Sequence, residues 1–199
     1  MNNTEGIDLI LGPMKAGKST ELLRRINRYL ISGTSVALIK FRKDTRYSED
    51  HVVTHDDVVS LIEAIPVENL MDSWERIDDE VRVIGIDEGQ FFPDLKDFCR
   101  EAIKRRKKVI IAALNGKSDL TPWSSVSDII PFSNISNVTA VCDWRGCGRD
   151  AHYSMLLDEL TNKPDKNGVK IGGCDMYSAR CSHHHNHLLL PLSGSNERD

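Results

Sequence analysis

No stretch of this 199-residue chain approaches the roughly 20 consecutive apolar residues that cross a bilayer. A membrane-spanning helix is therefore not expected. The opening MNNTEGID has neither a basic region nor a long apolar core of the kind that directs secretion, so a soluble, cytoplasmic protein is expected. Positive charge is not in excess: 26 Lys and Arg stand against 30 Asp and Glu, a formal net charge of -4. Without a broad cationic surface, binding to a nucleic-acid backbone is disfavoured. Internal repeats are absent. Cysteines number five, an odd count, and four of them fall between Cys142 and Cys181. In a reducing compartment that clustering suggests a metal site more than disulfides. The sequons at Asn134 and Asn137 then carry no glycan.

The chain does have short, β-branched apolar runs: Ile7 to Leu11, Thr34 to Lys40, Val81 to Asp87 and Val109 to Leu114. Each reads as a strand buried on both faces. Helical spacing separates them over Ser19 to Ser32, roughly Leu70 to Glu80, and Leu95 to Arg106. The last of these turns Phe98, Ala102 and Ile103 inward and ends in the basic run KRRKK, a solvated helix end. This alternation predicts an α/β fold of βαβ units around a parallel sheet. After Pro131 the texture changes to strand-like pieces (NVTAVC, GVKIGG) and paired cysteines, ending in the polar tail SGSNERD. The expected organisation is a nucleotide-binding domain over residues 1–136, a small subdomain over 137–192 and a disordered tail over 193–199.

Gly12-Pro13-Met14-Lys15-Ala16-Gly17-Lys18-Ser19 fits G-x-x-x-x-G-K-[ST] directly after a predicted strand and directly before a helix. Glycines there let backbone N–H groups close around phosphate oxygens, and the helix N-terminus adds positive potential. Lys18 can reach the transferring phosphate, and the Ser19 hydroxyl can bind Mg²⁺. At the end of the third run stands IGIDEGQFF, two adjacent carboxylates leaving the sheet at the edge where ligands of open α/β sheets collect. Asp87 is placed for Mg²⁺, directly or through water. In an extended strand its neighbour points the other way, so Glu88 is read as a general base that accepts a proton from a substrate hydroxyl. A phosphate loop with two carboxylates makes phosphoryl transfer the leading chemistry.

The stretches ILGPMKAGKSTELLRRI, IKFRKDTRYSEDHVVTHDD, VIGIDEGQFFPDLKDFC, VIIAAL, VTAVC and GGCDMYSARC, in this order over about Ile7 to His184, resemble the type II (cellular-type) thymidine kinases. The resemblance implies a RecA-like P-loop core bearing a small zinc-held subdomain whose lasso loop covers the nucleoside. It implies phosphorylation of the 5′-hydroxyl of thymidine, and sometimes deoxyuridine, by Mg-ATP, and assembly as dimers or tetramers. The phosphate loop with Thr20, and Asp56 in the THD segment, would face the phosphates and the metal, with Glu88 as base. Met14, Phe91, Leu114 and Tyr177 would line the nucleobase pocket, and the backbone of Val169, Lys170, Ile171 and Gly172 would read the pyrimidine edge. One structural zinc would be held by Cys142, Cys147, Cys181 and His184. His183, His185 or His187 could take the fourth place, and Cys174 is a further thiol nearby.

The family pattern is not followed throughout. The first cysteine pair is C-x₄-C, two residues longer than the family's C-x-x-C, a spacing that still lets a loop close on one ion. Where the family continues L-D-G-T-F-Q-R-K-P-F-G, this chain reads LNGKSDLTPWS. Ser118 then replaces an aromatic, Leu120 and Thr121 replace a basic pair, and Trp123 takes the place of the second aromatic in the nucleoside pocket. Lys15-Ala16 stands where Phe-Ser is common, and Asp57 follows THD in place of Arg. Lys15 is expected to restore some of the positive charge missing downstream. The alternatives kept open are a kinase of another deoxynucleoside and a non-catalytic nucleotide-binding regulator. Cys99, on an amphipathic helix, is expected to be a small buried hydrophobe.

Overall fold

The structure, a computed structural model, describes residues 5–43, 52, 60–157 and 176–185. Six strands form one sheet: β1 (Gly6–Gly12), β2 (Val36–Phe41), β3 (Ala64–Val67), β4 (Val83–Ile86), β5 (Lys108–Leu114) and β6 (Ser133–Asn137). Their spatial order is β3-β2-β4-β5-β1-β6 and every pairing is parallel. The α/β expectation therefore holds. Helix α1 (Lys18–Ile31) carries the chain from β1 across to β2, and α2 (Leu95–Lys104) leads into β5.

Burial on both faces explains why the four runs read as continuous apolar strands. On one face Ile10, Leu38, Val83, Ile110 and Ala112 pack with Leu22, Leu23 and Ile26 of α1. On the other, Leu9, Ile39, Ile84, Val109 and Ile111 pack with Leu95, Phe98, Cys99 and Ala102 of α2. Cys99 is fully buried, and desolvation pushes its thiol up to about 12, which keeps it protonated and inert.

Four expectations need correction, the first being that KRRKK is a solvated helix end: Lys107 and Lys108 are buried, donating to the Val81 carbonyl at 2.6 Å and to Asp8 Oδ1 at 2.7 Å. The helix expected over Leu70 to Glu80 is a 3₁₀ segment ending at Arg76. Asp94 takes the amides of Leu70 (3.1 Å) and Met71 (2.9 Å) from outside, and Ile77 already has extended backbone. Ile103 does not face inward but is exposed. It lies 100° around the helix from Ala102, outside the Leu95-Phe98-Cys99-Ala102 stripe. Strands β3 and β6 were not expected, and the piece NVTAVC is split between the end of β6 and β7 (Ala140–Val141). The piece GVKIGG lies outside the described residues.

Beyond β6, β7 pairs antiparallel with β8 (Asp150–Ala151), and β9 (Tyr153–Leu156) pairs with β10 (Tyr177–Arg180). Among the described residues no helix is long and apolar enough to cross a membrane. Phe98 stacks on Trp74 with ring centroids 4.7 Å apart and has no exposed surface. Phe98→Ala should therefore lower unfolding free energy by about 3–5 kcal/mol, read from the denaturant midpoint at unchanged slope.

Candidate functional site

Strand β1 delivers the chain to the carboxyl edge of the sheet, where Gly12 must be glycine. A Cβ there would meet the Val138 carbonyl oxygen at 2.5 Å and Val138 Cγ2 at 2.9 Å. The loop from Pro13 to Gly17 makes two left-handed turns, at Lys15 (φ 63) and Gly17 (φ 73). Gly17 also caps α1, with no side chain closing that helix end. The forward N–H groups of α1 are thus directed at the loop's concavity, the arrangement that receives an anion. Lys18 arches back, its Nζ donating to the Pro13 carbonyl at 2.7 Å. Ser19 donates its hydroxyl to Asp87, 2.9 Å from Oδ1 and 3.1 Å from Oδ2. Thr20 occupies an exposed position in the same first turn. Asp56 lies outside the described residues.

Strand β4 ends at Ile86, so the alternation used to separate the two carboxylates does not apply. Asp87 stays attached to the sheet, its N–H donating to the Ile39 carbonyl at 3.0 Å. Glu88 instead adopts left-handed backbone (φ 53, ψ 43), which costs a non-glycine residue roughly 1–3 kcal/mol. That turn, not strand geometry, gives Glu88 its separate direction. The Gln90 side-chain amide donates to Glu88 Oε2, while its Oε1 accepts the Leu114 N–H at 3.0 Å. Gln90 is itself buried and so ties Glu88 to the end of β5.

Of the expected nucleoside residues, Phe91 and Trp123 meet edge-to-face with centroids 5.8 Å apart. Phe41 adds a third ring, 5.3 Å from Phe91. Lys117 Nζ lies 5.3 Å over the Trp123 ring. Leu114 pairs with Gly12 across the β1–β5 ladder, so it sits beside the start of the phosphate loop. Tyr177 opens β10 opposite Leu156. Residues 169–172 lie outside the described residues.

Cys142, Cys147, Cys181 and His184 present donor atoms that all lie within 4.8 Å of one another. Cys147 and Cys181 sulfurs are 3.8 Å apart, and His184 Nδ1 is 3.6 Å from Cys142 and 3.4 Å from Cys181. Tetrahedral zinc with its usual bond lengths requires about 3.8 Å between sulfurs and about 3.6 Å between sulfur and nitrogen, so the donor set fits the ion. No disulfide forms among these cysteines. Burial opposes ionisation of Cys142, but the Cys181 and Trp144 amides and His184 outweigh it and bring its thiol down to about 6. Cys147 is moved upward: an Arg149 amide bond favours its thiolate, yet desolvation and the two neighbouring sulfurs prevail. Trp144 stacks on His184 at 4.8 Å and fixes the ring plane. His184 therefore completes the cluster, while His183 is exposed and His185 is buried against Ser154. Cys174 and His187 lie outside the described residues.

A model of the thymidine kinase family matches residues 5–185. The chain belongs to that family. The thymidine kinase of myxoma virus (strain Lausanne) is 41% identical over 178 residues, covering 88% of this chain and 93% of the viral protein. That of vaccinia virus (strain Western Reserve) is 42% identical over 176 residues with the same coverage. Human cytosolic thymidine kinase is 41% identical over 177 residues, covering 88% of this chain and 70% of the human protein.

Within this thymidine kinase framework, three contacts escape a linear reading. They are Gln90 to Glu88, Ser154 Oγ accepting the Met14 N–H at 2.9 Å, and Lys15 Nζ to Asp143 Oδ2 at 2.9 Å. The last differs from the expectation that Lys15 adds a cation for phosphate. Only Gln90 left a trace, as a polar residue in an otherwise apolar GQFF turn. For the metal cluster, Cys181→Ser should reduce bound zinc from one per chain to well below one by elemental analysis after dialysis. It should also lower the melting temperature, because ligation energy is folding energy.

Proposed function

We propose that the protein transfers the γ-phosphate of ATP to the 5′-hydroxyl of thymidine, and of deoxyuridine in part. The observation that carries this reading is the meeting of Ser19 and Asp87 beneath the phosphate loop, with Glu88 in the next position. Backbone amides of residues 12–20 hold the triphosphate, and Lys18 draws charge from the phosphoryl group in flight. Ser19 and Asp87 would hold Mg²⁺, which when bound would offset the negative charge of the phosphates. Glu88 accepts the 5′-hydroxyl proton as that oxygen forms its bond to the γ-phosphorus and the bond to the β-phosphate bridging oxygen breaks, leaving ADP and the nucleoside monophosphate. Gln90 keeps the Glu88 carboxylate aimed while its backbone is held left-handed.

Met14, Phe91, Leu114, Trp123 and Tyr177 form the apolar side of the nucleoside pocket in this reading, and the backbone of Val169 to Gly172 recognises the pyrimidine edge. Asp56 joins the phosphate side. Cys142, Cys147, Cys181 and His184 hold a structural zinc that ties the two sides of the 137–192 subdomain together. Cytoplasmic residence and a dimer or tetramer complete the proposal. A second reading, transfer to another deoxynucleoside, is favoured by the 115–123 segment. There Ser118 stands in place of an aromatic, Leu120 (φ 66) and Thr121 stand in place of a basic pair, and Lys117 covers Trp123.

A radiolabelled transfer assay over thymidine, deoxyuridine, deoxycytidine and deoxyguanosine separates these readings. Thymidine is expected to give the highest kcat/KM, and no product with any nucleoside, alongside measurable ATP binding, would reject catalysis. Glu88→Gln should reduce kcat by roughly 10²-fold or more while ATP still binds. Undiminished turnover would remove Glu88 as the base.

A further inference from the structure

We infer that Asp143, a residue of the cysteine-bearing segment with no part in the phosphoryl transfer, is a positioning residue that shapes the phosphate loop through Lys15. The inference rests on the reading of residues 12–20 as the ATP-binding loop and says what holds that loop in its receptive form.

The loop has two left-handed positions, and successive turns of this kind aim consecutive N–H groups into one anion-binding concavity. At Gly17 the conformation is free of steric penalty. At Lys15 it is not, because a lysine carries a Cβ that disfavours φ 63. Something outside the loop must therefore hold Lys15, and the structure supplies a restraint on each side of its backbone.

The first restraint is on the preceding residue. The Met14 N–H donates to the hydroxyl of Ser154, a residue of β9 with 4% exposure. The second is on the Lys15 side chain, whose ammonium reaches Asp143 Oδ2 at 2.9 Å. That carboxylate oxygen is fixed independently of the lysine. It accepts the Ala179 N–H at 2.9 Å and the Ser178 hydroxyl at 3.1 Å, both from β10. The Asp143 N–H in turn donates to the Ala179 carbonyl at 2.9 Å. Asp143 directly follows Cys142, and the Cys142 sulfur accepts the Cys181 N–H. The anchor thus belongs to the rigid frame of the metal cluster.

Charge makes the pairing two-sided. Asp143 beside a triphosphate site would repel the ligand, and Lys15 neutralises it. Lys15 alone would add attraction but lose its conformational hold. The pair therefore acts as a unit and should show itself as a coupling, not as two independent effects.

The test is ATP affinity by calorimetry and steady-state kinetics for Asp143→Asn, Lys15→Met, the double variant and Lys18→Ala. Asp143→Asn keeps an acceptor for Ala179 and Ser178, and Lys15→Met leaves the cysteine-bearing segment untouched. Zinc content and far-UV spectra establish that each variant is folded. Each single variant is expected to weaken ATP about fivefold, and the double variant no more than the worse single. For Asp143→Asn the loss should fall on the ATP KM, with kcat and thymidine KM within twofold of the parent. Unchanged or tighter ATP binding in Asp143→Asn, or strictly additive effects, would overturn the inference. If Lys18→Ala left ATP affinity intact, the loop reading itself would fall, and this inference with it. If Lys18→Ala abolished binding while Asp143→Asn had no effect, only the role of Asp143 would fall.

Discussion

The hydrogen bond from Ser19 to Asp87 joins the first turn of α1 to the end of β4, and the site depends on that junction. The two residues are far apart in sequence. Their strands are not neighbours either, since β5 lies between β1 and β4. The contact exists because all three strands run parallel toward the same edge of the sheet, with Gly12 beside Leu114 and Ile86 beside Ile111. A one-residue slip in either ladder would turn Asp87 away from the serine. The distinct packing of the two faces, against α1 on one side and α2 on the other, opposes that slip, so the core supports the register on which the polar site relies.

The four expected strands and α1 were legible because the pattern that stabilises them is local and repeated. Each run is mainly apolar, and α1 begins at the motif that defines the loop. Strand β6 was not legible, because SNISN lies at the sheet edge and shows solvent most of its side chains. Strand β3 is four residues long and includes Pro66, whose lack of an N–H argues against a strand except at an edge, where β3 sits. The segment after Leu70 carried helical spacing, but the side chain that shaped it, Asp94, comes from elsewhere in the sequence. No window confined to that segment contains that information.

The candidate site divides along the same line. The phosphate loop and the Asp87-Glu88 pair are contiguous motifs whose chemistry follows from residue type and neighbours. The cysteine cluster was legible as two short spacings, and its fit to tetrahedral geometry needed only that the two pairs be brought together. Ser154 and Asp143 were invisible because their roles come from contacts across the fold, with sequence separations up to 140 residues, and Gln90 left only its polarity in the GQFF turn. Glu88 is set apart from Asp87 not by strand alternation, which ends at Ile86, but by its own left-handed backbone.

Two non-glycine residues in left-handed conformation on the phosphate side of the site, Lys15 and Glu88, share a physical logic. Strain of this kind persists only where surroundings over-determine it. Glu88 is held by Gln90, which is anchored on β5, and Lys15 is held by Asp143, which is anchored on β10. In each case a long, otherwise mobile side chain is fixed from outside, so ordering need not come from the incoming ligand. An ATP molecule that met a relaxed loop would spend part of its binding free energy ordering that loop. A loop already held leaves more of that free energy for the phosphoryl group as its charge redistributes, which is where a transferase gains rate.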